Sequence, residues 1–301
     1  MYDVLIIGGG IAGLSAGMYA GRLKMKTLLL VEARGGTIAN TNDITNWPGI
    51  SKIDGMTLAK QLEQHAKEYD IELKDTVATE IKKTATGFEV ATPSASYAAK
   101  TLLFATGTEV RKLGVKGEAE FANRGVHYCG LCDGFFYTDK TIAVVGGSDS
   151  AAKEALLLTQ WAKKVYIIYR KDQIRAEPIT LEKVKANKKI ESVSNTNVTE
   201  IVGDDKGVKK LLFDKAHKGS KEFIVDGVFV EIGRVPNSAL AKPLGVKLNA
   251  AGEIITDKDA KTNVAGVFAA GDVTDISFKQ GIVASAEGVT AAYSAYQYLQ
   301  K

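Results

Sequence analysis

Val4-Leu5-Ile6-Ile7-Gly8-Gly9-Gly10-Ile11-Ala12-Gly13 decides the fold. Four apolar residues in a row suit a strand buried on both faces of a parallel sheet. Gly8, Gly10 and Gly13 then fall in a G-x-G-x-x-G pattern, and a small-residue stretch through Ala20 predicts a helix. A second apolar strand, Thr27 to Val31, ends at Glu32, near the ~20-residue spacing at which a dinucleotide site places its acidic residue. Each part has a physical task. The glycines let backbone approach a pyrophosphate, the helix N-terminus donates N–H groups to it, and the carboxylate takes ribose hydroxyls. Gly9, Gly13, Gly17 and Gly21 also recur every fourth residue. A membrane helix-pairing face would look similar. Arg22 and the short apolar length favour close packing of helix on sheet instead.

The same grammar returns in the middle of the chain. Thr141 to Val145 is apolar, Gly146-Gly147-Ser148-Asp149-Ser150-Ala151 is the turn, Ala152 to Leu158 opens a helix, and Val165 to Tyr169 is the next strand. Two such openings predict an α/β protein with two doubly wound, Rossmann-like nucleotide-binding domains. Between them, Ile71 to Leu102 reads as β-rich, and Leu102 to Ala105 is a strand running into Thr106-Gly107. Beyond the second opening come the apolar stretch Phe223 to Ile232, a Gly233-Arg234-Val235-Pro236-Asn237 turn, and Gly266 to Asp272. The end of the chain, from Gly281, reads as a small-residue helix with a Tyr-rich tail.

Composition agrees with a folded protein of about two domains. The chain has 301 residues, 45% hydrophobic and 25% charged, which excludes wholesale disorder. Its net charge of +4, from 39 basic and 35 acidic residues, is scattered and argues against nucleic acid or membrane partners. No apolar run approaches the ~20 residues of a membrane span. Met1-Tyr2-Asp3 leads straight into the first strand without a basic n-region, so a cytoplasmic location is expected.

The second glycine turn departs from the pattern. Gly146 and Ala151 suit the first and last positions, with Gly147 and Ser150 beside them, but Ser148 replaces the middle glycine and would crowd a pyrophosphate. The strand after it ends in Arg170-Lys171, with Arg175 further on, and has no carboxylate there. Guanidinium and ammonium groups at that point suit the 2′-phosphate of NADPH. The plain alternative is a solvated basic face.

The chain has only two cysteines, in Cys129-Gly130-Leu131-Cys132. A lone close pair in a reducing compartment points to redox or metal chemistry rather than a structural staple. As a redox dithiol the two sulfurs close a small ring reversibly. With His127 they would supply three legs of a zinc site, one short of the four a structural zinc takes. Asp133, directly after Cys132, is either an ordinary turn residue or a proton relay for a thiolate.

Taken together, these motifs resemble the low-molecular-weight thioredoxin reductases of bacteria and archaea, flavoenzymes of the pyridine nucleotide-disulfide family. The resemblance covers essentially the whole chain: Gly8 to Gly13, Gly35-Gly36, Asn46-Trp47-Pro48-Gly49, Ala105-Thr106-Gly107, Cys129 to Cys132 with Asp133-Gly134-Phe135-Phe136, the second glycine turn, Gly233 to Asn237, and Gly266 to Val273. It implies a split layout. Residues 1–112 and 237–301 would bind FAD, and the inserted residues 113–236 would bind NADPH and carry the dithiol. It also implies FAD contacts from Gly8, Gly10, Ala12, Gly13, Glu32, Gly36, Asn46, Thr106, Gly107, Gly271, Asp272, Gln280 and Gly281. NADPH contacts would come from Gly146, Gly147, Ser150, Ala151, Arg170, Lys171, Arg175 and Gly233.

By the same resemblance, electrons pass from NADPH through FAD to the Cys129–Cys132 disulfide, and the dithiol reduces a thioredoxin or glutaredoxin-like protein. Cys132 would face the flavin, Cys129 would exchange with the partner and Asp133 would give the proton. One domain would rotate against the other, and the chain would form a homodimer. Thr37, Tyr169, Lys153 and Ser148 depart from the family pattern, mostly at the nicotinamide site. The rivals are therefore the same scaffold fed by NADH or a non-nicotinamide donor, or acting as an oxidase. A rival of another class is a non-catalytic nucleotide-binding protein with a structural or zinc-bound cysteine pair.

Overall fold

The protein is described from a computed structural model covering residues 1–41 and 44–301. It divides into two compact units, Met1–Glu109 with Val235–Lys301, and Val110–Arg234.

The first unit opens with β1 (Tyr2–Ile7), α1 (Ile11–Arg22) and β2 (Thr27–Val31), followed by α2 (Gly55–Lys67) and β3 (Ile71–Asp75). Then come β4 (Glu80–Thr84), β5 (Gly87–Ala91), β6 (Ser96–Phe104) and the short β7 (Thr108–Val110). The sheet runs β3-β2-β1-β6-β5-β4, parallel from β3 to β6 and antiparallel through the β4–β5–β6 meander. The apolar runs are the central strands, and Val4, Leu5, Ile6, Leu28 and Leu29 are fully buried. That burial explains why they show no polar alternation.

The four-residue glycine period is a packing device. A Cβ on Gly17 would approach Ile71 to 3.1 Å, and one on Gly21 would lie 2.5 Å from the Tyr69 Cβ. No helix among the described residues is long and apolar enough to cross a membrane.

The second unit contains β8 (Val126–His127), the helical turn α3 (Gly130–Asp133), β9 (Thr141–Val145), α4 (Asp149–Leu158), β10 (Lys164–Ile168), α5 (Pro178–Ala186) and β11 (Ile190–Val193). The chain continues through β12 (Val198–Asp204), β13 (Gly207–His217), β14 (Ser220–Ile224) and β15 (Gly227–Val230). A parallel sheet of order β11-β10-β9-β15-β8 carries the nucleotide-type turn, and β12-β13-β14 form a separate antiparallel sheet. After β16 (Arg234–Pro236), which pairs with β7, the first unit resumes with β17 (Val267–Ala269) beside β6 and ends in α6 (Gly281–Leu299).

Several boundaries differ from the sequence reading. The stretch Phe223–Ile232 is two strands, because the side chain of Asp226 accepts the Thr141 N–H at 2.8 Å and ends one sheet before the next begins. The helix read from Ala152 starts at Asp149, since Ser148 caps it. Tyr169 lies just past its strand and covers Gly147, whose added Cβ would meet the Tyr169 Cβ at 3.0 Å. The cysteine pair sits on a helical turn.

Candidate active site

In the first unit, Gly10 is the N-cap of α1 and no side chain caps that end. An uncapped helix N-terminus leaves backbone N–H groups for an anion. The glycines there divide into two kinds. A Cβ on Gly8, whose φ is 117°, would lie 2.2 Å from the Ala105 carbonyl oxygen, and one on Gly13 would lie 1.8 Å from that of Gly8. Those two let strand, turn and helix close on one another. A Cβ on Gly10 meets nothing nearer than 3.9 Å, so its space lies open beside Gly35 and Gly36.

The other expected FAD residues lie in the same unit. Glu32 is exposed just past β2. Asn46 donates its side-chain N–H to Gln280 Oε1 at 2.9 Å, and Gln280 is the N-cap of α6. Gly281 packs on Ile11, and Gly271, with φ 80°, packs on Ala12. Thr106 donates from Oγ1 to the Asn237 carbonyl at 2.7 Å, beside Gly107. Two residues missed in the sequence support Gly271-Asp272. Glu287 accepts the Gly271 N–H at 2.8 Å, and Lys279 Nζ donates to the Asp272 carbonyl at 3.0 Å. Burial raises the Glu287 carboxyl against the pull of that N–H. A backbone-lined cradle that a Cβ would fill, over a bare helix terminus, fits a flavin dinucleotide.

In the second unit, Gly146 has φ 153°, and its Cβ would lie 2.1 Å from the Glu231 carbonyl oxygen. Ala151 is fully buried, and Ser150 is exposed in the first turn of α4. Ser148 has a local structural part that its place in the glycine turn did not signal. Its Oγ accepts the Ala151 N–H at 3.4 Å, so it caps the helix. Lys153 is held by Asp149 at 2.6 Å and Glu177 at 3.1 Å. Arg170, Lys171 and Arg175 are exposed and form no ion pair among the described residues. The Arg175 N–H donates to the Gly147 carbonyl at 2.9 Å, which ties the basic cluster to the glycine turn. Gly233 has φ 107° and open space around it. Free cations beside a glycine turn fit a phosphorylated ribose.

Cys129 and Cys132 form a disulfide across α3. The Cys132 N–H points at Cys129 Sγ, 3.2 Å away. Cys132 is exposed and Cys129 half-buried. The turn is pressed onto α4. Gly134 leaves room for Trp161, and the Gly130 N–H donates to the Glu154 carboxylate. Burial, with a smaller push from Asp133, raises Glu154. Glu231 is raised to about 7, by burial first and then by the charge of Glu154. Phe135 and Phe136 follow, 51% and 59% exposed, with ring centroids 4.0 Å apart.

His127 does not join the sulfurs as a metal ligand. Its Nε2 is 2.7 Å from the Tyr137 hydroxyl, its Nδ1 is 3.0 Å from Asp133 Oδ2, and the sulfurs are bonded to each other. No group of three potential ligands gathers among the described residues. The sequence signals His127 by proximity to the cysteines, yet nothing in its spacing marks Glu154 as a neighbour of the dithiol turn or Glu231 as a neighbour of Glu154.

Known proteins share this layout over the full length of the chain. Thioredoxin reductase of Listeria innocua is 38% identical over 306 residues, covering 100% of this chain and 95% of that protein. The Bacillus subtilis thioredoxin reductase is also 38% identical, covering 100% and 96%. The crystal structure of Lactococcus lactis thioredoxin reductase matches with a TM-score of 0.96 at 36% identity, covering 100% of this chain and 99% of that one. The profile for "Pyridine nucleotide-disulphide oxidoreductase" matches residues 2–288. On a shared fold and this span of similarity, the chain belongs to the pyridine nucleotide-disulphide oxidoreductase family.

Proposed function

We propose that this chain is a flavin-dependent disulfide reductase that carries electrons from NADPH, through FAD, to the Cys129–Cys132 pair and on to a thioredoxin-like protein. The observation that carries the reading is the disulfide on an exposed helical turn, seated through Gly130 and Glu154 on the helix of a nucleotide-type βαβ unit. Bound FAD supplies hydride acceptance and two-electron reduction of a disulfide. The chain supplies the rest. Gly10, Gly36, Glu32, Asn46, Asp272 and Gln280 hold the dinucleotide. Arg170, Lys171 and Arg175 take the 2′-phosphate of NADPH.

Once reduced, Cys129 is the exchange thiol. The Cys132 N–H stabilises negative charge on Cys129 Sγ. The thiolate attacks the partner disulfide, forms a mixed disulfide and is released by Cys132. Asp133 supplies a proton to the leaving sulfur. The exposed Phe135–Phe136 pair beside the dithiol offers apolar contact area suited to a protein partner rather than a small disulfide. The similarity to thioredoxin reductases supports a thioredoxin-like partner.

The test is to separate the half-reactions. Cys129→Ser and Cys132→Ser each abolish reduction of a protein disulfide while NADPH still bleaches the bound flavin. Turnover by either single variant overturns the relay, and so does one equivalent of zinc in active protein.

A further inference from the structure

We propose that His127 is a positioning residue for Asp133, holding that carboxyl beside the dithiol through a Tyr137–His127–Asp133 chain. The proposal rests on the disulfide-reductase reading above and adds a residue to its proton path.

The imidazole is 5% exposed at the end of β8 and stacks on Phe229, its partner in the β15 register, with centroids 5.3 Å apart. Tyr137 packs edge-on to both rings. It sits over Gly227, where a Cβ would lie 2.3 Å from its ring. The ring is thus fixed in place before its polar atoms are considered. Its Nε2 is 2.7 Å from the Tyr137 hydroxyl. Its Nδ1 is 3.0 Å from Asp133 Oδ2, but off the line of a hydrogen bond, and has no other partner. An ionised carboxylate only accepts. In the proposed chain Nδ1 is therefore the atom that donates to Asp133, and Nε2 the one that accepts from Tyr137. The hydroxyl stays a donor, because burial and the charges of Asp133 and Asp226 push Tyr137 up to about 12. In the proposal that remaining bond forms when Asp133, whose side chain is 28% exposed, turns toward Nδ1.

In the exchange, a Cys129–partner S–S bond forms as the partner's S–S bond breaks. Cys132 Sγ then displaces the second partner sulfur and re-forms the Cys129–Cys132 bond. Two electrons and two protons leave the dithiol and reach the partner's sulfurs. Asp133 carries one of those protons from an enzyme thiol to the leaving sulfur, and His127 holds Asp133 where it receives and delivers that proton. Besides Asp133 and Tyr137, the charged groups around this chain among the described residues are Asp226 and Lys140 near Tyr137, Arg124 and Lys206 in the pocket that His127 lines, and Glu154 near Asp133.

The experiment is a double-mutant cycle on the flavin-loaded enzyme, with reduced thioredoxin formation followed across pH. His127→Gln and Asp133→Asn are made singly and together, with Tyr137→Phe as a milder variant that keeps the ring packing. His127→Gln lowers kcat about tenfold, less than the roughly 10²–10⁴-fold of a positioned acid itself because His127 acts through Asp133, with little change in KM. The double variant is no slower than Asp133→Asn alone, and the pH profile of Tyr137→Phe shifts in the same direction as that of His127→Gln. Additive losses, or unchanged pH profiles in His127→Gln and Tyr137→Phe, overturn the proposal. If His127→Gln does not fold, Tyr137→Phe combined with Asp133→Asn decides by the same non-additivity. A wild-type enzyme that does not reduce the protein disulfide would instead overturn the disulfide-reductase reading.

Discussion

The backbone N–H of Gly130, inside the dithiol turn, donates to the carboxylate of Glu154 on α4, and Glu154 in turn bears on Glu231 at the end of β15. Glu231 is raised from 4.5 to about 7 by burial and by the charge of Glu154, with Arg234 opposing. The folded state therefore holds the Glu231 proton more tightly than the unfolded chain does. That stabilisation is fully present below 4.5 and is lost as pH rises through about 7. Glu231→Gln removes the decline. Relative to wild type, the variant gains about 1–2 kcal/mol above neutrality after allowance for partial solvation, read as a Tm difference that grows with pH.

Gly10 and Gly13 should separate binding from folding. A Cβ at Gly10 would have its nearest neighbours at 3.9 Å, whereas one at Gly13 would lie 1.8 Å from the Gly8 carbonyl oxygen. Gly10→Val should fold with a near-wild-type Tm and bind little FAD, because it fills the cradle. Gly13→Ala should lower Tm by several degrees, as a cost of about 1–3 kcal/mol predicts. Wild type should be yellow, with about one FAD per chain by the single-cradle argument. A colourless protein that takes up no FAD on refolding counts against the reading, and so does a yellow Gly10→Val.

Arg170, Lys171 and Arg175 should determine nucleotide choice. Each charge-assisted hydrogen bond to a 2′-phosphate contributes about 1.5–3 kcal/mol in favourable settings. Exposure and salt reduce this. A remainder of ~1.4 kcal/mol is still a tenfold preference, so NADPH should exceed NADH in kcat/KM by about that factor or more. Arg170→Ala should raise the KM for NADPH and leave that for NADH nearly unchanged. Equal, slow rates insensitive to Arg170→Ala would make the cluster a solvated face.

Phe135 and Phe136 should matter only to a large substrate. Replacing both with Ser should raise KM for the protein disulfide about tenfold, equivalent to ~1.4 kcal/mol of docking energy. Reduction of a small aromatic disulfide should change little. Equal losses on both substrates would mean that the substitutions disturb the dithiol turn itself.

Much of this protein was legible one segment at a time. Val4–Ile7 and Thr141–Val145 declare central parallel strands by their unbroken apolar character, and the glycine turns after them are dictated by local backbone requirements. The dithiol is equally local, since Cys129 and Cys132 lie on one turn. Other features needed the folded chain. Asn46 meets Gln280, Gly130 rests on Glu154, and His127 reaches Tyr137 and Asp133. Ser148 caps its helix, and Lys153 is neutralised by Asp149 and Glu177. The physical reason is range. Strand burial and glycine turns depend on a few consecutive residues, whereas the placement and charge state of Glu154, Glu231 and His127 depend on packing by elements distant in the chain, which no sequence period records.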